Sequence, residues 1–352
     1  MLKSRKWIIL LLLFFLIFSQ RLLSLEITNG RIKLVLHQGI GRFSLYYLTN
    51  FRPETYLPLI LDEDPRTSVL SLTILKRIYR LGESPEFKER LEKTKSGARF
   101  VWTSKLVEVT EEFFFVSSGQ SELADGVKID LSIKNISNQD LEIGARYLFD
   151  TYLGEKKEIH FKTDKNESII KERTIYKSNM VKYWVSPLDG SSDSKGLQVI
   201  SMEGGVTTPD TVVFANWKRL QDTNWNYETS SSRDFNLLPY SVNDSAVCQV
   251  YAPKDVKNGS VLKIVLLMGN ANPLGFVTNK IATPKDIGDL LEKATAPRGT
   301  RDGGITIFSD LQTIKDLVQE INDKLGSGDV SERELFVIEK IMEELKKKYP
   351  EE

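Results

Sequence analysis

The chain is poor in histidine, cysteine and net charge. Its 352 residues include two histidines, His37 and His160, and one cysteine, Cys248. Two histidines exclude a histidine-rich metal centre, and a catalytic histidine pair would have to use both. One cysteine excludes an intrachain disulfide, so the fold depends on its own core. Lysine plus arginine and aspartate plus glutamate each number 48, a formal charge of zero. A general nucleic-acid binder needs a basic face to neutralise phosphates, so nucleic acid is excluded as a partner class. No GxSxG is present, which removes the local signature of a hydrolase nucleophile elbow. GIGRFS has Gly39 and Gly41 but Ser44 where a dinucleotide loop carries its third glycine, and a strand pattern follows, so it reads as a hairpin turn. There is no repeat of fixed period and no low-complexity tract. No cofactor or metal is implied. Asp62-Glu63-Asp64 lacks the ligand spacing of a calcium loop and reads as a solvated turn before Pro65.

One apolar run stands out against this background. Lys3, Arg5 and Lys6 precede Trp7–Phe18, twelve residues without a polar side chain. A charged start followed by such a run is a secretory signal, and it is short for a bilayer span of about 20 residues. Cleavage after Ser19 or Ser24 and retention of residues 7–18 as a membrane tether are both open, because Ile17 and Leu22 are large for the position three before the cut. The expected address is the periplasm or exterior of a bacterium, either free or held at the inner membrane. Sequons at Asn135, Asn166, Asn243 and Asn258 matter only in a glycosylating host.

Residues 25–276 read as strands. Val127, Ile129, Leu131 and Ile133 alternate with Lys128, Asp130, Ser132 and Lys134, the period-two pattern of a half-buried strand. Further strands are expected at IKLVLH, FSLYYLT, GLQVISME, TVVFANW, AVCQVYAP and VLKIVLLMG, with turns at Asp189-Gly190, Gly204-Gly205 and Asn258-Gly259. One helical interruption is expected over Ser84–Thr94. Many short strands predict a mainly β fold, a large antiparallel β-sandwich. Residues 277–304 are polar and broken by Pro284 and Pro297, as in a linker. Residues 305–352 predict a helical hairpin. Leu311, Ile314, Leu317, Val318, Ile321 and Leu325 stripe the first helix. Leu335, Ile338, Ile341, Met342 and Leu345 stripe the second, which opens with a Ser331–Glu334 capping box and ends in Lys346-Lys347-Lys348 at the negative dipole end. Two short helices bury too little to stand alone, so the hairpin docks on this chain, a second copy or a partner.

Three segments are candidates for function. GARYLFDTYLGE (144–155) places Ile143, Ala145, Tyr147 and Phe149 on one strand face and Arg146, Leu148 and Asp150 on the other. In a strand, residues four apart lie about 13 Å from each other. Arg146 and Asp150 therefore share a face without meeting, and each needs a separate partner, since a buried unpaired charge costs several kcal/mol. Asn243, Asp244 and the Asn216-Trp217 pair are the candidate partners. FANWKRLQDTNWNY supplies Trp217, Trp225 and Tyr227, with Tyr183-Trp184 upstream. Such rings stack on sugars with Asn216 or Asn226 reading hydroxyls, or they fill a core. Cys248 lies in SAVCQVY with Ala246 and Val250 on its face and no cation nearby in sequence, so it reads as a small buried hydrophobe.

GARYLFDTYLGE, PDTVVFANW and FNLLPYSVNDSAVCQVYAP, in this order, resemble an uncharacterised group of exported bacterial proteins. The arrangement is similar to the galactose-mutarotase-like β-supersandwich of aldose epimerases and of domains of many polysaccharide-degrading enzymes. The resemblance covers about Leu25–Gly275 and implies that fold. It transfers no catalytic residue: the epimerases use two histidines and a carboxylate on the concave sheet, and neither His37 nor His160 lies in a matching motif. Two functions follow as expectations. The first is an exported envelope protein of binding or assembly type, not an enzyme. The second is a carbohydrate-binding or epimerase-like protein using the sheet face through Arg146, Asp150, Asn216, Trp217, Trp225 and Asp244. The partners would be an envelope protein or a carbohydrate.

Overall fold

The computed structural model describes residues 24–51, 54–118, 123–155, 159–188, 195–272 and 276–281, together with Phe336 and Glu339. The expected signal run, the Asp189-Gly190 turn and nearly all of residues 277–352 lie outside them. Three antiparallel sheets form a sandwich. The first is a four-stranded meander of β1 (Ser24–Asn29), β2 (Ile32–His37), β3 (Arg42–Phe51) and β4 (Glu54–Pro58). The second has ten strands: β7 (Lys88–Lys93), β8 (Gly97–Thr103), β9 (Val107–Ser118), β10 (Gly126–Asn135), β12 (Phe161–Thr163), β13 (Ser168–Ile169), β15 (Tyr183–Pro187), β16 (Gly196–Ile200), β19 (Val261–Asn270) and β20 (Phe276–Ile281). The third runs in the order β14 (Arg173–Tyr176), β17 (Thr211–Asn216), β18 (Ser245–Val256), β11 (Leu141–Thr151), β5 (Val69–Ile74) and β6 (Arg77–Arg80). A short helix, α1 (Trp217–Asp222), leaves the end of β17.

Period-two patterning explains the layers. In β10, Val127, Ile129, Leu131 and Ile133 are buried while Lys128, Asp130, Ser132 and Lys134 stay outside, and β9 and β19 pair on either side. One core takes side chains from all three sheets, with Trp102, Trp184, Tyr147, Phe113 and Phe214 among the largest. The inward face of β9 carries one charged exception, Glu111, between Val109 and Phe113. Its carboxyl accepts a 2.9 Å bond from Tyr147 Oη of β11 across the sandwich. Burial pushes this carboxyl up to about 7, against the opposing effects of Tyr147 and Arg42. At Gly144 the β11–β18 register shifts. A Cβ there would lie 2.9 Å from the Tyr251 carbonyl, so a side chain is excluded.

The expected helix over Ser84–Thr94 is a strand in its second half. β7 pairs with β8 from Lys88↔Thr103 to Lys93↔Ala98. Phe87 and Leu91, four apart, satisfy a helical stripe, but in a strand they also share a face, and here both pack on the core. A ready partner strand decided between the two. The Gly39/Gly41 segment is the β2–β3 hairpin turn, with both glycines at positive φ. Asp64 caps a short 3₁₀ turn at Pro65–Thr67 by accepting from Arg66 N. No described helix is long and apolar enough to cross a membrane.

Candidate functional site

The alternation of β11 splits GARYLFDTYLGE as its pattern requires. Ala145, Tyr147 and Phe149 enter the central core, whereas Leu148 joins a separate cluster on the outer face of the six-stranded sheet with Val69, Val213, Ala215, Ala246, Cys248 and Val250. Leu220 of α1 closes this second cluster, and Trp217, Trp225 and Tyr227 pack half-buried against it. The outer face is thus covered by the chain's own segment 217–244.

Arg146 and Asp150 are both buried on this face and serve different ends of the cover. Arg146 Nη2 donates to the Leu220 carbonyl at 2.7 Å, and Arg80 Nη2 donates to the Gln221 carbonyl at 2.6 Å. The last carbonyls of a helix have no partner within it, and two guanidinium groups from the sheet supply one. The partner of Arg146 is therefore a backbone carbonyl rather than Asp244, Asn243 or Asn216. Arg146 also approaches Cys248 from the neighbouring strand, a cation invisible along the sequence. Burial still dominates and raises the thiol pKa.

Asn216 is fully buried and caps α1, its Oδ1 accepting from Arg219 N at 3.3 Å. Its Nδ2 lies within bonding distance of the Phe235 carbonyl (2.9 Å), Ser241 Oγ (2.9 Å) and the Asp244 carbonyl (3.1 Å). Trp217 donates its indole N–H to the Thr67 carbonyl at 3.0 Å and its backbone N–H to the Asp244 carbonyl at 3.0 Å. Of the upstream pair, Trp184 is a core residue packed edge-on to Phe161 and Phe214.

At the far end of β11 three carboxyls converge: Asp150, Glu155 just beyond the strand, and Asp244 just before β18. Burial first, then the neighbouring Asp244, Glu155 and Asp64, push Asp150 up to about 8, with Thr67 acting against them. Burial and Asp244 bring Glu155 to about 7, although it accepts from Ser245 N at 2.9 Å. Burial likewise raises Asp244. Like charges in a poorly solvated place favour the protonated form, and Asp150 and Glu155 hold protons near neutrality. Among the described residues no three His, Cys, Asp or Glu side chains are arranged to hold a metal ion.

A second polar cluster escaped sequence reasoning. The Glu172 carboxylate is fully buried. It accepts from Arg219 Nη1 (2.8 Å), Tyr227 Oη (2.8 Å) and Ser230 N (3.1 Å), and Arg233 lies 3.0 Å from its second oxygen. It fastens the cover to the start of β14. Nothing local in KERT announces this, because its partners lie 47 to 61 residues away. The two histidines are separated as well. His37 on β2 bonds Ser44 Oγ at 2.9 Å, and His160, before β12, is buried against Phe235 at 4.4 Å between centroids. Burial lowers His160 to about 4, with Asp234 opposing.

No family model matches the chain, and no curated protein is significantly similar to it. Among solved structures it is similar to a galactose mutarotase related enzyme from Lactobacillus acidophilus, at 13% identity and TM-score 0.39 over 74% of this chain and 99% of that one. A galactose mutarotase-like protein from Lactobacillus casei aligns at 10% identity and TM-score 0.35 over 70% of this chain and all of that one. An aldose epimerase homologue from C. elegans aligns at 7% identity and TM-score 0.38 over 71% and 99%. At such identities and TM-scores no residue role passes from them to this chain.

Proposed function

We infer that the protein is an exported envelope protein of binding or assembly type, without catalytic machinery of its own. Export is supported by the apolar run Trp7–Phe18 behind Lys3, Arg5 and Lys6, and one observation supports a non-catalytic role for the sheet face. Arg146 Nη2, Asn216 Nδ2 and Trp217 Nε1, on the groups best suited to read a ligand on the sheet face, donate to the chain's own carbonyls and fasten a cover over that face. A side chain already holding a buried backbone group is a structural clamp, and releasing it would leave that group unpaired. The test is a sugar-binding screen beside thermal unfolding. Arg146→Ala is expected to lower Tm while leaving any glycan signal unchanged. Tight glycan binding that disappears in a stably folded Arg146→Ala chain would overturn the reading. Export is tested separately, by fractionating cells that express the full chain.

The second reading, a carbohydrate-binding or carbohydrate-active protein, draws on a different observation. Asp150 and Glu155 hold protons near neutrality beside Asp244, whose carboxyl burial also raises, and close to Thr67, whose carbonyl receives the Trp217 indole. A carboxyl set of this kind suits general acid–base work on a polyol. Asp244→Asn distinguishes the two: lost sugar binding or turnover with Tm retained favours the second reading.

A further inference from the structure

The segment that covers the sheet carries an apolar tip whose side chains face solvent. Leu238, Tyr240 and Val242 are 73%, 73% and 66% exposed, three of the large exposed hydrophobics within five residues. The eight residues Asn236–Asn243 carry no charge in a chain that is 27% charged. The tip is also held in shape. Tyr240 N and Ser241 N donate to the Leu237 carbonyl at 2.7 and 3.0 Å, Asn243 N donates to Asn236 Oδ1 at 2.8 Å, and buried Asn216 grips Ser241 Oγ. Side chains displayed by a fixed backbone lose little freedom on binding.

Three such side chains offer a few hundred Å2 of apolar surface, well under the roughly 800 Å2 per partner of a stable protein interface. They suit a shallow contact made by a protein already held close to its target. Two aliphatic groups with a tyrosine match the boundary between acyl chains and headgroups. The chain also has the means of being held there. Trp7–Phe18 is apolar throughout, and five residues, Ser19–Leu23, separate it from β1 at Ser24. Kept in a bilayer, that run leaves an extended reach of at most about 20 Å.

We propose that Leu238, Tyr240 and Val242 form a membrane-surface contact that seats the domain on the bilayer holding its N-terminal apolar run. The proposal deepens the envelope reading above and rests on its export. The full chain is labelled with the environment-sensitive fluorophore NBD at Tyr240→Cys, Cys248 being buried. It is then reconstituted in vesicles of phosphatidylethanolamine and phosphatidylglycerol, with or without brominated acyl chains. NBD emission is expected to shift to shorter wavelength and to be quenched by the brominated chains. The same label at Lys95→Cys, on the β7–β8 turn, is expected to stay unquenched. Adding Leu238→Ser and Val242→Ser should abolish the quenching, and a label at Val242→Cys guards against misfolding of one variant. Unquenched emission at both 240 and 242 would overturn the proposal. A lipid-independent blue shift that grows with protein concentration would assign the tip to contact between copies, and would overturn it too. Retention in the cytoplasm on fractionation would sink the export reading, while the vesicle result would still stand or fall by itself.

Discussion

Arg146 shows how one guanidinium is used twice, once for its charge and once for its reach. It neutralises the carbonyl end of α1 and lies on the thiol of Cys248 while its Nε, also buried, finds no acceptor. Truncation to alanine leaves the Leu220 carbonyl unpaired, so Arg146→Ala is expected to cost about 1–3 kcal/mol of unfolding free energy in urea. Glu111 is the complementary case, a carboxyl inside the core that bonds the two sheets through Tyr147. Its folded pKa, about 7, lies above the unfolded carboxylate value, so the folded state binds the extra proton. Its contribution to stability is full below pH ~4.5 and is lost as pH rises to ~7, a change on the order of 3 kcal/mol. Glu111→Gln, neutral throughout, should flatten the stability-versus-pH curve in that window. An unchanged slope would show that the carboxyl titrates normally. Asp150 lies beside Asp244 and Glu155 and takes up a proton rather than a counter-charge. That Arg146 needed a distant partner was legible from strand geometry. Which partner was not, because Leu220 is 74 residues away and offers only a backbone group. Asn135 illustrates the same limit. Its sequon is intact, yet its amide is buried and bonds the Gln139 and Val256 carbonyls, closing it to modification.

At the scale of elements, the cover of residues 217–244 stands apart from the strands beneath. It has one short helix and little ladder pairing, and it is pinned by Asn216 at the β17 end and by Glu172 at the β14 end. Glu172→Ala removes one acceptor from Arg219, which keeps the Asp234 and Asn236 carbonyls, and takes the acceptor of Tyr227 Oη and the ion-pair partner of Arg233, a loss of about 1–3 kcal/mol on the scale of hydrogen bonds to a charged group. The loss should be local. Amide exchange in 223–244 is expected to quicken strongly while β10 and β19, in the middle of the ten-stranded sheet, keep their protection. Equal loss of protection in both regions would mean that the cover and the sandwich unfold together. β7 teaches the other lesson of this scale. Its residues accept either period, and the strand was chosen by a hydrogen-bonding neighbour across the turn.

Across the whole molecule, the buried titratable groups pull in opposite directions. Asp150, Glu155 and Glu111 all have raised folded pKa values, about 8, 7 and 7, so each stabilises the fold at acid pH and loses that contribution as pH rises. His160, lowered to about 4, costs stability as pH falls below its unfolded value of 6.5. Carboxylates with lowered values, such as Asp140 and Asp210, act below pH ~4 and leave the window between untouched. Three acids against one histidine predict a chain more stable near pH 5 than near pH 8. Tm measured at both values decides this, and a higher Tm at pH 8 would refute the assignment of protons to these carboxyls.

What the sequence determined by itself was periodic or local: the β class from period-two runs such as Val127–Ile133, the hairpin at Gly39–Gly41, the two faces of GARYLFDTYLGE and the burial of Cys248. Those features rest on residues within a few positions of one another, where alternation and turn chemistry suffice. Tertiary structure alone decided where the charges went. Glu172 met its two arginines, Tyr147 met Glu111 across the sandwich, and three carboxyls from separate elements came to share one end of β11. Each of those pairings depends on which strands become neighbours. That order is set by the packing of a whole sandwich rather than by any one segment.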